Sequence, residues 1–179
     1  MISCQNSGGH VVDLCAFSAA VTDEMTGKML NVFFSFADYK YDVIGIQLGG
    51  QHGFKKKCCV DLEYRNLWKQ NYLRYVSEIS RKCDNIFLIS YTPTVLKENL
   101  ESDNVERNEE LACRNEIVRE VAEEIGCPYI DLWDWILEKE YKHSDYIHFD
   151  KETNRQFADY MGRTIVNMLK VDKGIFEND

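Results

Sequence analysis

Three short apolar runs, each followed by a stretch of helical periodicity, restrict what this chain can fold into more than anything else in it. They are Asp42-Val43-Ile44-Gly45-Ile46-Gln47-Leu48, Asn85 to Tyr91, and Cys127 to Leu132. Runs this short and this apolar fit strands covered on both faces, which is the condition of a parallel sheet between two layers of helices. Helical patterns alternate with them over Val60 to Cys83, Asn108 to Ile125, Trp133 to Tyr141 and Lys151 to about Lys170, with Gly126 stopping the second. The expected fold is a three-layer α/β/α sandwich with a parallel, flavodoxin-like sheet, as one domain over residues 1–179. In such a sheet the loops that follow the strands gather at one end, where ligands bind. The first run empties into Gly49-Gly50-Gln51-His52-Gly53 and the second into Thr92-Pro93-Thr94.

The segments outside this pattern are less regular. Met1 to Cys4 is short and apolar and reads as a strand end, and the pair Gly8-Gly9 marks a tight turn or a close backbone approach. Val11 to about Thr22 has apolar residues at helical spacing. Met25 to Tyr39 fits a buried helix or a strand, and helix is favoured because Asp38 to Tyr41 is too short for a parallel crossover. Leu96 to Arg107 is polar and reads as an exposed loop or lid.

With 179 residues, 45% of them hydrophobic, the chain can bury a sizeable core. A net charge of -9 and a pI near 5.0 argue against a nucleic-acid surface, and the one basic run, Lys55-Lys56-Lys57, reads as a solvated loop. The seven cysteines are odd in number and lack paired metal-site spacing, so the expectation is reduced thiols in a cytoplasmic protein, with no metal and no cofactor. No segment has the length or apolarity of a membrane span, and Val11 to Ala20 is not a signal peptide because Asp13 breaks it and no basic leader precedes it.

Chemistry concentrates in Ser144-Asp145-Tyr146-Ile147-His148-Phe149-Asp150, a polar loop between two helical segments. Asp145 stands three residues before His148, within one turn's reach, so a carboxylate can orient an imidazole that acts as general base. The helix after it is well signalled: Asp150 can cap it, Glu152 suits the positive end of its dipole, and Phe157, Met161, Ile165, Met168 and Leu169 share a face.

The order of these pieces resembles the SGNH hydrolases, also called GDSL esterases and lipases. Asp145-Tyr146-Ile147-His148 is similar to that family's last block, which implies His148 as general base and Asp145 as its orienting acid. Gly49-Gly50-Gln51-His52 is similar to the third block, usually Gly-x-Asn-Asp, with Gln51 carrying the side-chain amide one methylene further out and His52 a candidate to line the site. Asn6 to Leu14 resembles the second block, implying that backbone N–H groups at Gly8 or Gly9 serve an oxyanion hole. The implied activity is hydrolysis of a small-molecule or carbohydrate ester carrying a short acyl group.

The family's first block, a strand ending in Gly-Asp-Ser with the nucleophile, is not visible. One reading makes the chain N-terminally incomplete, with the serine upstream of Met1. A second makes Met1 to Cys4 the first strand and Ser7 the nucleophile. A third is a pseudoenzyme, or a domain completed by another chain. The rival from a different class is a non-catalytic flavodoxin-like domain that holds a small ligand, for which Asn6 to Gly9 offers part of a phosphate-binding turn.

Overall fold

The computed structural model describes residues 2–6, 10–14, 41–48, 57–94, 103–139, 141–145 and 148–173. Its parallel sheet consists of β3 (Ile44–Ile46), β4 (Ile86–Ile89) and β5 (Tyr129–Ile130) in the order β3-β4-β5. Ile44 faces Ile86 and Ile46 faces Leu88 across the first pair, and Ile89 faces Ile130 across the second. All four side chains of β4 are buried, as its uninterrupted apolarity requires.

Alternation along β4 builds two cores. Ile86 and Leu88 join Trp68, Tyr72 and Val76 of α1 (Leu62–Ser80) and Ile117 and Val121 of α2 (Asp103–Ile125). Phe87 and Ile89 point the other way, to Ile130, Leu132 and the partly buried Phe157, Tyr160 and Met161 of α4 (Lys151–Lys173). The result is a three-layer α/β/α sandwich, and each fully buried side chain of this size contributes roughly 1.5 to 3 kcal/mol. On β3, Gly45 leaves room for the Phe87 ring, whose Cζ lies 2.6 Å from where a Cβ would stand.

The helices begin and end where the chain supplies caps. Asp61 accepts from the Tyr64 amide at the start of α1, and Asp131 accepts from the Asp134 amide at the start of the short α3 (Leu132–Leu137). Gly126 follows α2 at φ 76°, a left-handed turn that glycine adopts without strain, and its amide donates to the Ala122 carbonyl. Trp135 of α3 stacks on Tyr160 of α4 with ring centroids 4.8 Å apart, locking those two helices together.

Three expectations are corrected. The helix expected from Val11 fails at its first residues: β1 (Ile2–Asn6) and β2 (His10–Leu14) form an antiparallel hairpin, with Ile2 opposite Leu14 and Asn6 opposite His10. The sequence Ile2 to Leu14 is two short runs joined by Ser7-Gly8-Gly9, a three-residue glycine-bearing connection of the kind hairpins use. Among the described residues β1 therefore pairs within the hairpin and not in the parallel sheet. The expected loop over Leu96 to Arg107 gives way to helix from Asp103 onward. The helix expected over residues 25–39 lies outside the described residues.

The third correction concerns the cysteines. Cys59 and Cys113 form a disulfide with Cα atoms 5.8 Å apart, tying the segment before α1 to α2, while Cys58, Cys83 and Cys127 are free thiols. The bridge closes a sequence separation of 54 residues, for which its removal is expected to cost about 2 to 4 kcal/mol. Urea denaturation of Cys113→Ser beside the parent protein measures this, with the midpoint moving to lower urea.

Candidate active site

The Asp-x-x-His turn is stitched shut by its own flanks. His143 and Phe149 form an antiparallel bridge, the Ser144 amide donates to the His148 carbonyl at 2.7 Å, and the Asp150 amide donates to the Lys142 carbonyl at 2.8 Å. The helix behind holds this hairpin: the Lys142 amide donates to the buried Thr153 hydroxyl at 3.0 Å, and Asp150 caps α4 by accepting from the Thr153 amide at 2.8 Å. The hydrogen bonds from Thr153 hold the Asp150 carboxyl below its ordinary range.

Within that frame both Asp145 oxygens are committed to His148. Oδ1 accepts from the His148 amide at 2.7 Å, and Oδ2 lies 2.7 Å from Nδ1. An ionised carboxylate can only accept, so this contact selects the tautomer with hydrogen on Nδ1 and leaves the Nε2 lone pair pointing away from the pair. The His148 side chain is 70% exposed and Asp145 47%. A neutral imidazole with an oriented, accessible Nε2 is the arrangement a general base needs.

A second histidine in the same hairpin has a different setting. His143 is half-buried, its ring 4.3 Å from Phe149 and 5.2 Å from Tyr141. Burial pushes its pKa below the ordinary histidine value, against the opposing pull of a hydrogen bond to the Pro93 backbone and the charge of Asp145. The hairpin stands beside the segment that leaves β4. Between them lies a cleft of about 520 Å³ lined by Pro93, Thr94, Trp133, Leu137, Tyr141 and His143. Asn108 on α2 fixes one wall, accepting from both the amide and the hydroxyl of Thr94 and donating to its carbonyl.

One titration follows from the first turn of α4. Hydrogen bonds from Arg155, then Gln156, lower the Glu152 carboxyl from 4.5 to about 2. A depressed carboxyl contributes stability that is complete above pH 4.5 and is lost as pH falls through 2. NMR titration of the Glu152 carboxyl is expected to show the low midpoint, and Arg155→Ala is expected to return it toward 4.5.

Of the sequence-derived candidates, Asp145 and His148 are brought together. Ser7, Gly8, Gly9, Gly49, Gln51 and His52 lie outside the described residues, although the hairpin fixes the strands on either side of Ser7-Gly8-Gly9. Sequence reasoning missed His143, whose only signal is its position opposite Phe149 across the Asp-x-x-His turn. It also missed the polar face of α2, where Asn108, Glu110, Arg114 and Asn115 all turn inward. Among the described residues no cluster of His, Cys, Asp or Glu could hold a metal ion, and no helix is long and apolar enough to cross a membrane.

A parallel sheet between two helical layers, with an oriented Asp–His pair in the turn before the last helix, is the framework of an SGNH-type hydrolase fold. The sequence pattern of the GDSL-like lipase/acylhydrolase family matches residues 3–156. The chain belongs to that family. Among solved structures it is similar to Axe2, an acetylxylan esterase from Geobacillus stearothermophilus, with TM-score 0.58 and 14% identity over 83% of this chain and 68% of that one. Variants of Axe2 lacking an aspartate, a serine or a histidine are known as catalytic mutants, and the aspartate variant superposes with TM-score 0.58 at 13% identity and the same coverage. The chain is also similar to LAE5, an alpha/beta hydrolase enzyme from the metagenome of Lake Arreo, Spain, with TM-score 0.55 and 17% identity over 83% of this chain and 69% of that one. At these identities the likeness is one of fold. No curated protein sequence matches the chain.

Proposed function

We propose that this chain is a serine-type ester hydrolase acting on short acyl esters, among them acetyl groups on carbohydrates, with His148 as general base and Asp145 as its orienting acid. The observation that carries the reading is the double contact of Asp145 with His148, which sets the tautomer and leaves Nε2 free. Two likenesses support it: the family is one of lipases and acylhydrolases, and the aspartate and histidine of the Axe2 catalytic mutants are three residues apart, as Asp145 and His148 are.

In this reading a serine Oγ attacks the ester carbonyl while His148 Nε2 takes its proton, and the same proton later goes to the leaving alkoxide. Water then hydrolyses the acyl-enzyme by the same route. Backbone N–H groups at Gly8 and Gly9, with Gly49 and the Gln51 amide, hold the oxyanion, each well-placed donor being worth about 3 kcal/mol of barrier. His52 lines the site, and the cleft beside His143 takes part of the substrate. Ser7 is the nucleophile candidate within this chain. It follows a strand paired antiparallel, whereas the family resemblance puts the serine after a parallel strand, so the competing assignment is a serine preceding Met1. The cytoplasmic location expected from reduced thiols loses that support with the Cys59–Cys113 bridge, and thiol trapping in intact cells, which reads the redox state of these two cysteines, decides between a reducing and an oxidising compartment.

Turnover of p-nitrophenyl acetate by the purified chain, beside His148→Ala and Ser7→Ala, is the test. Loss of turnover in both variants supports the mechanism with Ser7 as nucleophile. Loss in His148→Ala alone moves the nucleophile elsewhere. Equal rates for all three proteins contradict the esterase reading and favour a domain that binds its ligand without chemistry.

A further inference from the structure

The cleft beside the Asp–His turn draws its walls from four parts of the chain. Pro93 and Thr94 come from the segment leaving β4, Asn108 from α2, Trp133 and Leu137 from α3, and Tyr141 and His143 from the hairpin that carries Asp145 and His148. Buried polar bonds fix these walls. Asn115 accepts from the Tyr91 amide at 2.7 Å and donates to its carbonyl at 3.1 Å, and Asn108, earlier on the same helix, does the same for Thr94 at 2.8 and 3.0 Å. Each carboxamide takes the place of a strand neighbour for a segment that has left the sheet. The buried Ser90 hydroxyl accepts from the Leu132 and Trp133 amides at 2.7 and 3.0 Å, which sets the start of α3 and with it Trp133. Walls held in this way are formed before a ligand arrives, so binding does not have to order them.

The cleft lies next to the Asp145–His148 pair: His143 bridges Phe149 across the base of the turn, and the charge of Asp145 reaches its ring. At about 520 Å³ it falls within the range of small-molecule pockets and is many times larger than an acetyl group. In an esterase for short acyl groups, such a space serves the alcohol side of the ester. The lining describes that alcohol. None of the residues named is Lys, Arg, Asp or Glu, so a charged alcohol would be desolvated there without a partner. Pro93, Trp133, Leu137 and Tyr141 supply apolar and aromatic surface. Thr94 spends its one hydroxyl hydrogen on Asn108 Oδ1 at 2.9 Å, so toward a ligand it can only accept. A neutral molecule with flat C–H faces and hydroxyl donors around its edge meets all of these terms. An alkyl chain would leave Thr94, Asn108 and His143 facing carbon.

We propose that this cleft is the alcohol subsite of the hydrolase and binds a neutral sugar ring, with Trp133 and Tyr141 against its C–H faces and the Thr94 hydroxyl accepting from one of its hydroxyls. This rests on the esterase reading and narrows it, because Trp133 and Tyr141 become the residues that separate sugar acetates from other acetates.

The test has a binding arm and a kinetic arm. Saturation-transfer NMR with methyl xylopyranoside, which carries no ester, is expected to show transfer from the parent protein to the ring C–H protons, lost in Trp133→Ala and Tyr141→Ala and kept in Tyr141→Phe. In the kinetic arm, the ratio of kcat/KM on a mono-acetylated methyl xylopyranoside to that on p-nitrophenyl acetate is expected to fall at least tenfold in both alanine variants and to recover in Tyr141→Phe. A cooperative thermal melt qualifies each variant, and the parent's own transfer decides should one fail to fold. Absence of transfer to the parent overturns the sugar subsite, and turnover of p-nitrophenyl acetate in that same protein keeps the esterase reading. Transfer or ratios unchanged in folded alanine variants also overturn it. So does a fall confined to p-nitrophenyl octanoate relative to the acetate, which would make the cleft an acyl pocket. Transfer in a parent protein without any turnover overturns the esterase reading and leaves the cleft a sugar-binding site.

Discussion

His148→Ala is expected to lower kcat on p-nitrophenyl acetate by about 10³-fold or more with no loss of stability. A positioned general base is worth roughly 10²- to 10⁴-fold, and the upper part of that range applies because nothing else in the described hairpin can replace it. His143, the other imidazole there, is half-buried and packed between Tyr141 and Phe149. Stability is spared because the His148 side chain is 70% exposed, and the hydrogen bonds that close the turn come from its backbone. Asp145→Asn is expected to cost less, about 10²-fold. Asp145 is about half exposed, so water partly stabilises the imidazolium in its place, while the amide can present its NH2 to Nδ1 and favour the wrong tautomer. Asparagine can still accept from the His148 amide through its oxygen, so the turn is expected to stay closed.

Arg114→Ala is expected to be the most destabilising single change outside the apolar core, by about 3 to 5 kcal/mol. It leaves the Glu110 carboxylate fully buried with two backbone amides and without its guanidinium partner, and it also uncovers Trp68, on whose face the guanidinium rests. The double replacement Glu110→Met/Arg114→Leu is expected to cost much less, about 1 to 2 kcal/mol, since both charges go and the exposed Lys57 amide can turn to water. Chemical denaturation of the two variants separates these values well. A double variant as unstable as Arg114→Ala would mean that the two amide contacts, and not the unpaired charge, dominate the energetics.

The parts of the fold that were legible in sequence share a local signal. The strand at Ile86 to Ile89 is apolar at every position because both of its faces are covered, and the last helix announces itself through Asp150, Glu152 and the Phe157, Met161, Ile165 stripe. The start of α2 was hidden for a physical reason: Val105 and Glu106 are exposed and the buried residue beside them is Arg107, so hydrophobic periodicity has nothing to detect there before Leu111. The hairpin was hidden for another. His10-Val11-Val12-Asp13-Leu14 satisfies helical spacing and strand composition alike, and the pairing with Ile2 to Asn6 that decides between them is not local.

The candidate site divides in the same way. Asp145 and His148 are three residues apart, so their meeting follows from one turn of chain. The supports of that turn come from Phe149 and Thr153, and the Lys57 and Cys58 amides are held by a helix more than fifty residues downstream. No spacing rule connects such residues, because the fold itself creates their contacts.

The central claim is that this chain is a serine hydrolase activated by His148, and the most direct measurement is labelling with an alkyl phosphonate p-nitrophenyl ester followed by intact-mass and peptide mass spectrometry. The account predicts one phosphonyl adduct per chain, on a serine, formed with release of p-nitrophenol and abolished in His148→Ala. Absence of an adduct, or equal labelling of the parent and His148→Ala, would contradict it.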